Sequence, residues 1–266
     1  MDEFCDAKAC AGLNQGMRRY LFSIDQIHED YVEIEGNNFH HICGVCRLDV
    51  GDQFEVLGIE NTALKVEITQ RDKKRAIAKI IDRRRVEALQ KPRIHLAISM
   101  TKPQTFEFIL EKSVELGVFS VRPFVSDRSF FRKVDQVSEA KYARWQKKID
   151  SATQQSGRGE ILELKKLVGF EEILKNFNHL NDAMGLFLFE GRCEMSLKEA
   201  VKARKTGAPD DLWLFIGSEG GFSQREVECF KDIGLEALTL GEQVLRVETA
   251  CLAMISIIKY EYDLMS

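Results

Sequence analysis

At Pro92 the hydrophobic pattern of this chain changes period. Before it the chain is β-rich in short runs, several of which alternate apolar and polar residues. The runs are Tyr20-Leu21-Phe22, Tyr31-Val32-Glu33-Ile34, Phe54-Glu55-Val56-Leu57, Ala63 to Ile68 and Ala76 to Ile81. A period of two places alternate side chains on one face, as a half-buried strand requires. Val50-Gly51-Asp52 and Glu60-Asn61 supply turn residues between runs. Strands this short and closely spaced predict a small β-barrel. Asn37 to His41 reads as the start of a helix, and Arg83-Arg84-Arg85 to Pro92 as a linker.

After Pro92, strands and helices alternate. Strands are expected at Ile94 to Met100, Val118 to Val125, Gly185 to Phe189, Leu212 to Ile216 and Ala237 to Leu240. Helices are expected at Phe106 to Leu116, Ser138 to Gln155, Ser196 to Ala203, from Ser223 to Gly234, and at Glu248 to Asp263. Ser223 with Glu226 three residues on forms a capping box. Alternation of this kind gives a mostly parallel α/β sheet with helices on both faces. The chain thus divides into a disordered extension over 1–16, a barrel over 17–90 and an α/β domain over 91–266.

Of 266 residues, 44% are hydrophobic and 30% charged, an ordinary globular composition. No apolar run approaches the length of a membrane span. The first 16 residues lack the basic and apolar regions of a signal peptide. Seven cysteines without such a leader predict a reducing cytoplasm. Cys43-Gly44-Val45-Cys46 lacks a second pair at zinc-finger spacing, so both thiols are read as small buried hydrophobes, with no metal and no disulfide. The net charge of −4 argues against a histone-like nucleic-acid binder. Two basic stretches, Arg71 to Arg85 and Arg122 to Lys148, are compatible with either a phosphate backbone or a solvated face.

Open α/β sheets bind ligands at the carboxyl ends of their strands. Two loops at such ends stand out. Gly217-Ser218-Glu219-Gly220-Gly221-Phe222-Ser223 is neither a P-loop nor a dinucleotide fingerprint. Its glycines suit a close-approaching ligand or a tight strand–helix turn. Leu240 to Ala250 places Arg246 and Glu248 before an apolar helix, where Glu248 could simply favour the helix amino end.

Together these two loops resemble the signature loops of the RsmE family, ribosomal RNA (uracil-N3-)-methyltransferases of the SPOUT superfamily. The resemblance runs from Met17 over nearly the whole chain. It includes Arg18-Arg19-Tyr20-Leu21-Phe22, His40-His41-Ile42 with Arg47-Leu48, Glu111-Lys112 with Glu115-Leu116-Gly117-Val118, Ser126-Asp127-Arg128-Ser129, Arg144-Trp145 and Gln154-Gln155-Ser156-Gly157-Arg158. Ser218 stands where the family usually has proline, and Val247 where it usually has threonine.

The resemblance implies a PUA-like RNA-binding barrel followed by a SPOUT α/β domain with a trefoil knot. It implies a cytoplasmic homodimer that uses S-adenosyl-L-methionine, no metal and no membrane to methylate N3 of a uridine in 16S ribosomal RNA within the small ribosomal subunit. Another RNA target, or a catalytically inactive RNA-binding module, is the alternative. Cofactor contacts are expected from Leu188, Phe189, Glu190, Ile216, Gly217, Glu219, Gly220, Gly221, Leu240, Gly241, Val244, Leu245, Arg246, Thr249 and Ala250. Arg246 and Glu248 are the expected catalytic pair. Arg18, Arg19, Arg47, Arg128, Arg132, Arg144 and Arg158 are expected to meet RNA phosphates.

Overall fold

The computed structural model describes residues 17–59, 62–180, 182–191, 195–203 and 207–265. The expected extension over 1–16 lies outside them. The fold separates into two units, Met1–Glu87 and Ala88–Ser266.

The first unit holds β1 (Arg19–Leu21), β2 (Tyr31–Ile34), α1 (Gly36–Phe39), β3 (Gln53–Ile59), β4 (Thr62–Arg71) and β5 (Ala76–Arg85). The sheet runs β1-β3-β4-β5-β2, antiparallel except for the β1–β3 pair. Tyr20 from one end strand and Val32 and Ile34 from the other share a core with Phe54, Leu64 and Val66, so the sheet curls round it. Arg83, Arg84 and Arg85 pair with Leu64, Ala63 and Thr62 in β5 and are strand rather than linker. Their ladder partners outweigh the charge run that suggested a linker.

The second unit holds β6 (Arg93–Ser99), α2 (Pro103–Glu115), β7 (Ser120–Val125), α3 (Glu139–Ser156), β8 (Glu163–Leu164), β9 (Val168–Gly169), α4 (Phe170–Asn178) and β10 (Ala183–Leu188). It continues through β11 (Met195–Ser196), α5 (Leu197–Ala203), β12 (Asp211–Ile216), α6 (Gln224–Asp232), β13 (Glu236–Thr239) and α7 (Val247–Glu261). The strand order is β11-β13-β10-β12-β6-β7-β8, with β9 also on β7, and every pair is parallel.

Alternation along β6 sends Ile94, Leu96 and Ile98 to one face, against α2, α3, α5 and α7. Ala97 goes to the other, against α4 and α6. That second face is largely aromatic: Phe187 stacks on Phe230 at 4.6 Å, and Trp213 lies edge-on to Phe177 at 5.7 Å. Helix α4 was not expected from the sequence. Phe170, Ile173, Leu174 and Phe177 nonetheless fall at helical spacing and are all buried. Among the described residues no helix is long and apolar enough to cross a membrane.

Candidate active site

Three neighbouring strands, β13, β10 and β12, end together, and the loops that leave them converge. They enclose a cavity of about 400 Å³. Its walls are Leu188 to Gly191 from the end of β10 onward, Ile216 to Ser218 and Gly220 to Phe222 from the end of β12 onward, and Leu238 to Leu245 with Val247 and Ala250 around β13 and α7. Arg128, from the loop after β7, closes one side. The volume is in the range that takes a small organic ligand or cofactor.

The glycines of the β12 loop answer first to the loop itself. A Cβ at Gly217 would lie 3.1 Å from backbone atoms of Gly221, and one at Gly220 would lie 3.0 Å from Cβ of Arg128. Gly221 adopts φ +63°, which L side chains rarely occupy. The tight turn and the ligand loop are therefore one structure: bare backbone lets the chain double back, and the doubled-back chain forms the cavity wall. Ser218, at the position where the resemblance has proline, is buried and donates its hydroxyl to the carbonyl of Arg128 at 2.8 Å.

Of the residues expected to hold a cofactor, Leu188, Phe189, Glu190, Ile216, Gly217, Gly220, Gly221, Leu240, Gly241, Val244, Leu245 and Ala250 line the cavity. Glu219 and Arg246 lie on the same loops, and Thr249 in the first turn of α7, but none of the three is in the lining. Glu219 instead accepts from the backbone N–H of Lys102 at 3.3 Å. As cavity-lining residues the sequence reading missed Arg128, Gly191, Ser218, Phe222, Leu238, Thr239, Glu242, Gln243 and Val247. Their position inside or beside the two signature loops was the available signal, except for Gly191, which follows the expected Glu190, and Arg128, which arrives from elsewhere in the chain.

Arg246 precedes the first turn of α7 and is exposed. No ion pair joins it to Glu248 among the described residues; Glu248 sits in the first turn of the helix, where a carboxylate favours the amino end.

The seven arginines expected on RNA divide by their partners. In the first unit, Arg18 is exposed and donates to the carbonyl of Cys46 at 3.2 Å, and Arg47 is exposed with φ +56°. Arg19 is committed to the buried Glu55 at 2.9 Å, alongside Arg84. In the second unit, Arg144 is paired with the buried carboxylate of Glu107 at 2.8 Å. Arg132 is exposed and donates to the carbonyl of Asp127. Arg158 turns inward and donates to the carbonyl of Val118 at 2.8 Å, and burial pushes its guanidinium down to about 10. An inward guanidinium on backbone carbonyls is a structural tie, which corrects its assignment to RNA. Arg128 is exposed, and its Nη1 donates to the carbonyl of Gly220 at 2.9 Å, at the cavity wall.

Cys43 is a buried free thiol, pushed up by that burial, and Cys46 lies 3.8 Å from Nε2 of His41. Among the described residues no group of three or more His, Cys, Asp and Glu side chains is placed to hold a metal.

The fold and cavity define an α/β enzyme whose ligand is met by backbone and apolar walls at strand ends, with no phosphate-binding lysine in its glycine loop. The chain belongs to the RNA methyltransferase family: the family model described as an RNA methyltransferase domain matches residues 89–259, and one described as an RNA methyltransferase PUA domain matches 34–81. It is 27% identical over 254 residues to the Ribosomal RNA small subunit methyltransferase E of Bacillus subtilis, covering 94% of this chain and 98% of that one. The crystal structure of a protein of the same name from Neisseria gonorrhoeae, bound to S-adenosyl methionine, matches with a TM-score of 0.78 at 27% identity, covering 92% of this chain and 98% of that one. A putative methyltransferase from Legionella pneumophila, in complex with the same cofactor, matches with a TM-score of 0.80 at 25% identity and the same coverage.

Proposed function

We propose that this chain methylates N3 of a uridine in 16S ribosomal RNA of the small subunit, using S-adenosyl-L-methionine, as a cytoplasmic homodimer. The observation that carries the reading is the cavity itself: its size, its glycine backbone and its apolar walls suit a cofactor without phosphate. Relatives named Ribosomal RNA small subunit methyltransferase E are covered over 98% and 97% of their own length. The insertion of β12 between β10 and β6, with both signature loops at the same sheet end, accords with a trefoil knot.

Leu188, Ile216, Leu240 and Leu245 would flank the cofactor's apolar parts, and backbone groups of the two loops its polar edge. The cofactor supplies an activated methyl group on a sulfonium. The chain's own residues must do the rest. They must hold an unpaired or flipped uridine, because N3 lies on the pairing edge. They must also favour loss of the N3 proton, because the neutral imide is a poor nucleophile. Arg246 cannot be the base, since a guanidinium stays protonated. Exposed at the start of α7 beside the cavity wall, it would stabilise negative charge developing on the uracil oxygens. Arg18, Arg47 and Arg132 would hold phosphates.

The test is incubation of the purified chain with the cofactor and 16S RNA or small subunits from a strain lacking this activity. Mass spectrometry of the digested RNA should show 3-methyluridine at one position. Methylation at carbon or ribose instead, or none on either substrate, would overturn the assignment.

A further inference from the structure

In the sequence Glu226 stands out only as the acidic partner of Ser223 in a capping box. In the structure it is fully buried, and its two oxygens serve two different loops. Oε2 accepts from the backbone N–H of Ser223 at 2.8 Å, which closes the box. Oε1 accepts from the backbone N–H of Asp127 at 2.8 Å, in the loop that follows β7. Ser223 donates its hydroxyl to Oδ2 of Asp127 at 2.5 Å. Further along the same two loops, Ser218 donates to the carbonyl of Arg128, and Arg128 donates to the carbonyl of Gly220. The loop after β7 and the glycine loop are thus closed on each other at both ends, and both contribute to the cavity wall.

A helix cap needs one carboxylate oxygen. A second oxygen on a distant backbone amide does nothing for the helix, and a buried carboxylate is costly unless each of its contacts is made. What the second bond does fix is the separation of two loops that share a ligand cavity.

We propose that Glu226 is a positioning residue for the cofactor: it latches the β7 loop to the glycine loop and so holds the cavity open at the width the ligand needs. The proposal rests on the reading that S-adenosyl-L-methionine occupies this cavity. Glu226 does not line the cavity, so it acts through the backbone of both loops.

Glu226→Gln keeps the shape but sets an amide N–H against one of two backbone N–H donors. Calorimetric titration with S-adenosyl-L-methionine should show at least about tenfold weaker binding, the loss of one charge-assisted hydrogen bond. The KM for the cofactor should rise alike, while kcat at saturating cofactor and RNA stays within about twofold. Val227→Ala, a buried truncation on the same helix, lowers Tm without touching the latch and should leave cofactor affinity unchanged. Unchanged affinity in Glu226→Gln, or equal loss of affinity in Val227→Ala, overturns the latch. Should Glu226→Gln not fold, Ser218→Ala severs the other end of the same closure, and wild-type affinity there overturns it as well. A wild-type chain that does not bind the cofactor would instead sink the underlying reading.

Discussion

The two ends of the central strands β6, β7 and β12 have opposite characters. At the carboxyl end, loops leave backbone groups facing a cavity and Arg246 stands exposed. At the amino end the polar groups close on one another. Asp211 accepts from Nε2 of His95 at 2.8 Å and from both forks of Arg93, at 2.8 and 3.0 Å. Nδ1 of His95 meets the hydroxyl of Ser120 at 2.7 Å, and Nε of Arg122 donates to that hydroxyl at 3.0 Å while its guanidinium covers Trp213. Asp211, His95 and Ser120 are in the order of a nucleophilic triad, yet Ser120 is fully buried. A chemical constellation becomes a site only where a substrate can reach it. Here the constellation is sealed inside the fold, while the plain-looking end opens onto the cavity.

The sharpest break between the two ends is expected from Arg246→Ala. Its side chain is exposed and unpaired among the described residues, so Tm should not move. Single-turnover methylation at saturating RNA should fall on the order of 10²-fold or more, as loss of a preorganised charge stabiliser does. A near-normal rate would remove the catalytic role, and a loss confined to RNA affinity would make Arg246 a phosphate contact. Asp211→Ala is the mirror experiment. It strips His95 and Arg93 of their shared acceptor and should cost about 2 kcal/mol, a fall in Tm of roughly 4–8 °C for a unit of this size. Affinity for S-adenosyl-L-methionine should stay within about twofold, and a large loss there would mean that the two ends are coupled.

The sequence disclosed the ends unequally, for a physical reason. Strand and helix follow from local period, so β6, β12 and α7 were legible, as was the capping box at Ser223 and Glu226. The two signature loops are contiguous in sequence, so most of the cavity wall could be named in advance. What escaped depends on partners far along the chain. Nothing near Arg158 shows that it bonds the carbonyl of Val118, nothing near Arg128 shows that it reaches Gly220, and nothing near Glu226 points to Asp127. The Asp211–His95–Ser120 cluster likewise draws one residue from each of three strands and leaves no local mark. Helix α4 was different: Phe170, Ile173, Leu174 and Phe177 carry the signal at full strength, behind a short polar stretch that reads as loop.

A pH titration sharpens the contrast at the amino end. Burial holds the His95 imidazole below its ordinary value, against the pull of Asp211. An unfolded histidine takes its proton near pH 6.5, while the folded ring does so only lower. Protons therefore favour the unfolded chain, and stability should fall as pH drops below about 6.5, by at most about 1.4 kcal/mol per pH unit from this group. Asp211 adds a lower window. Burial raises its carboxyl, but hydrogen bonds from His95 and Arg93 outweigh that and keep it below the ordinary range, so its contribution is lost as pH falls below about 4. Denaturant unfolding at pH 7.5, 6 and 5 should give a steeper fall for wild type than for His95→Asn. Parallel profiles would show that the buried ring does not set the slope.

The smallest effect separates cations that face outward from those turned in. Arg132 is exposed near the carboxyl end, held by one bond to the carbonyl of Asp127, so most of its guanidinium remains free for a phosphate. A single phosphate contact releases about one counterion, so Arg132→Ala should lower the slope of log binding constant against log salt by about one. At moderate salt this is only a few-fold in affinity. Arg158 has the same charge and comes from a motif equally rich in resemblance, but its guanidinium is turned inward: Nη1 donates to the carbonyl of Val118 at 2.8 Å, and Nε and Nη2 are buried away from any phosphate. Arg158→Ala should lower Tm and leave the salt slope of RNA binding unchanged. Filter binding of both variants between 50 and 200 mM salt, roughly the range over which counterion release is plain, decides between them. A lowered slope in Arg158→Ala would mean that orientation in the fold does not sort these arginines, and an unchanged slope in Arg132→Ala would return the basic stretch from Arg122 to Lys148 to a solvated face.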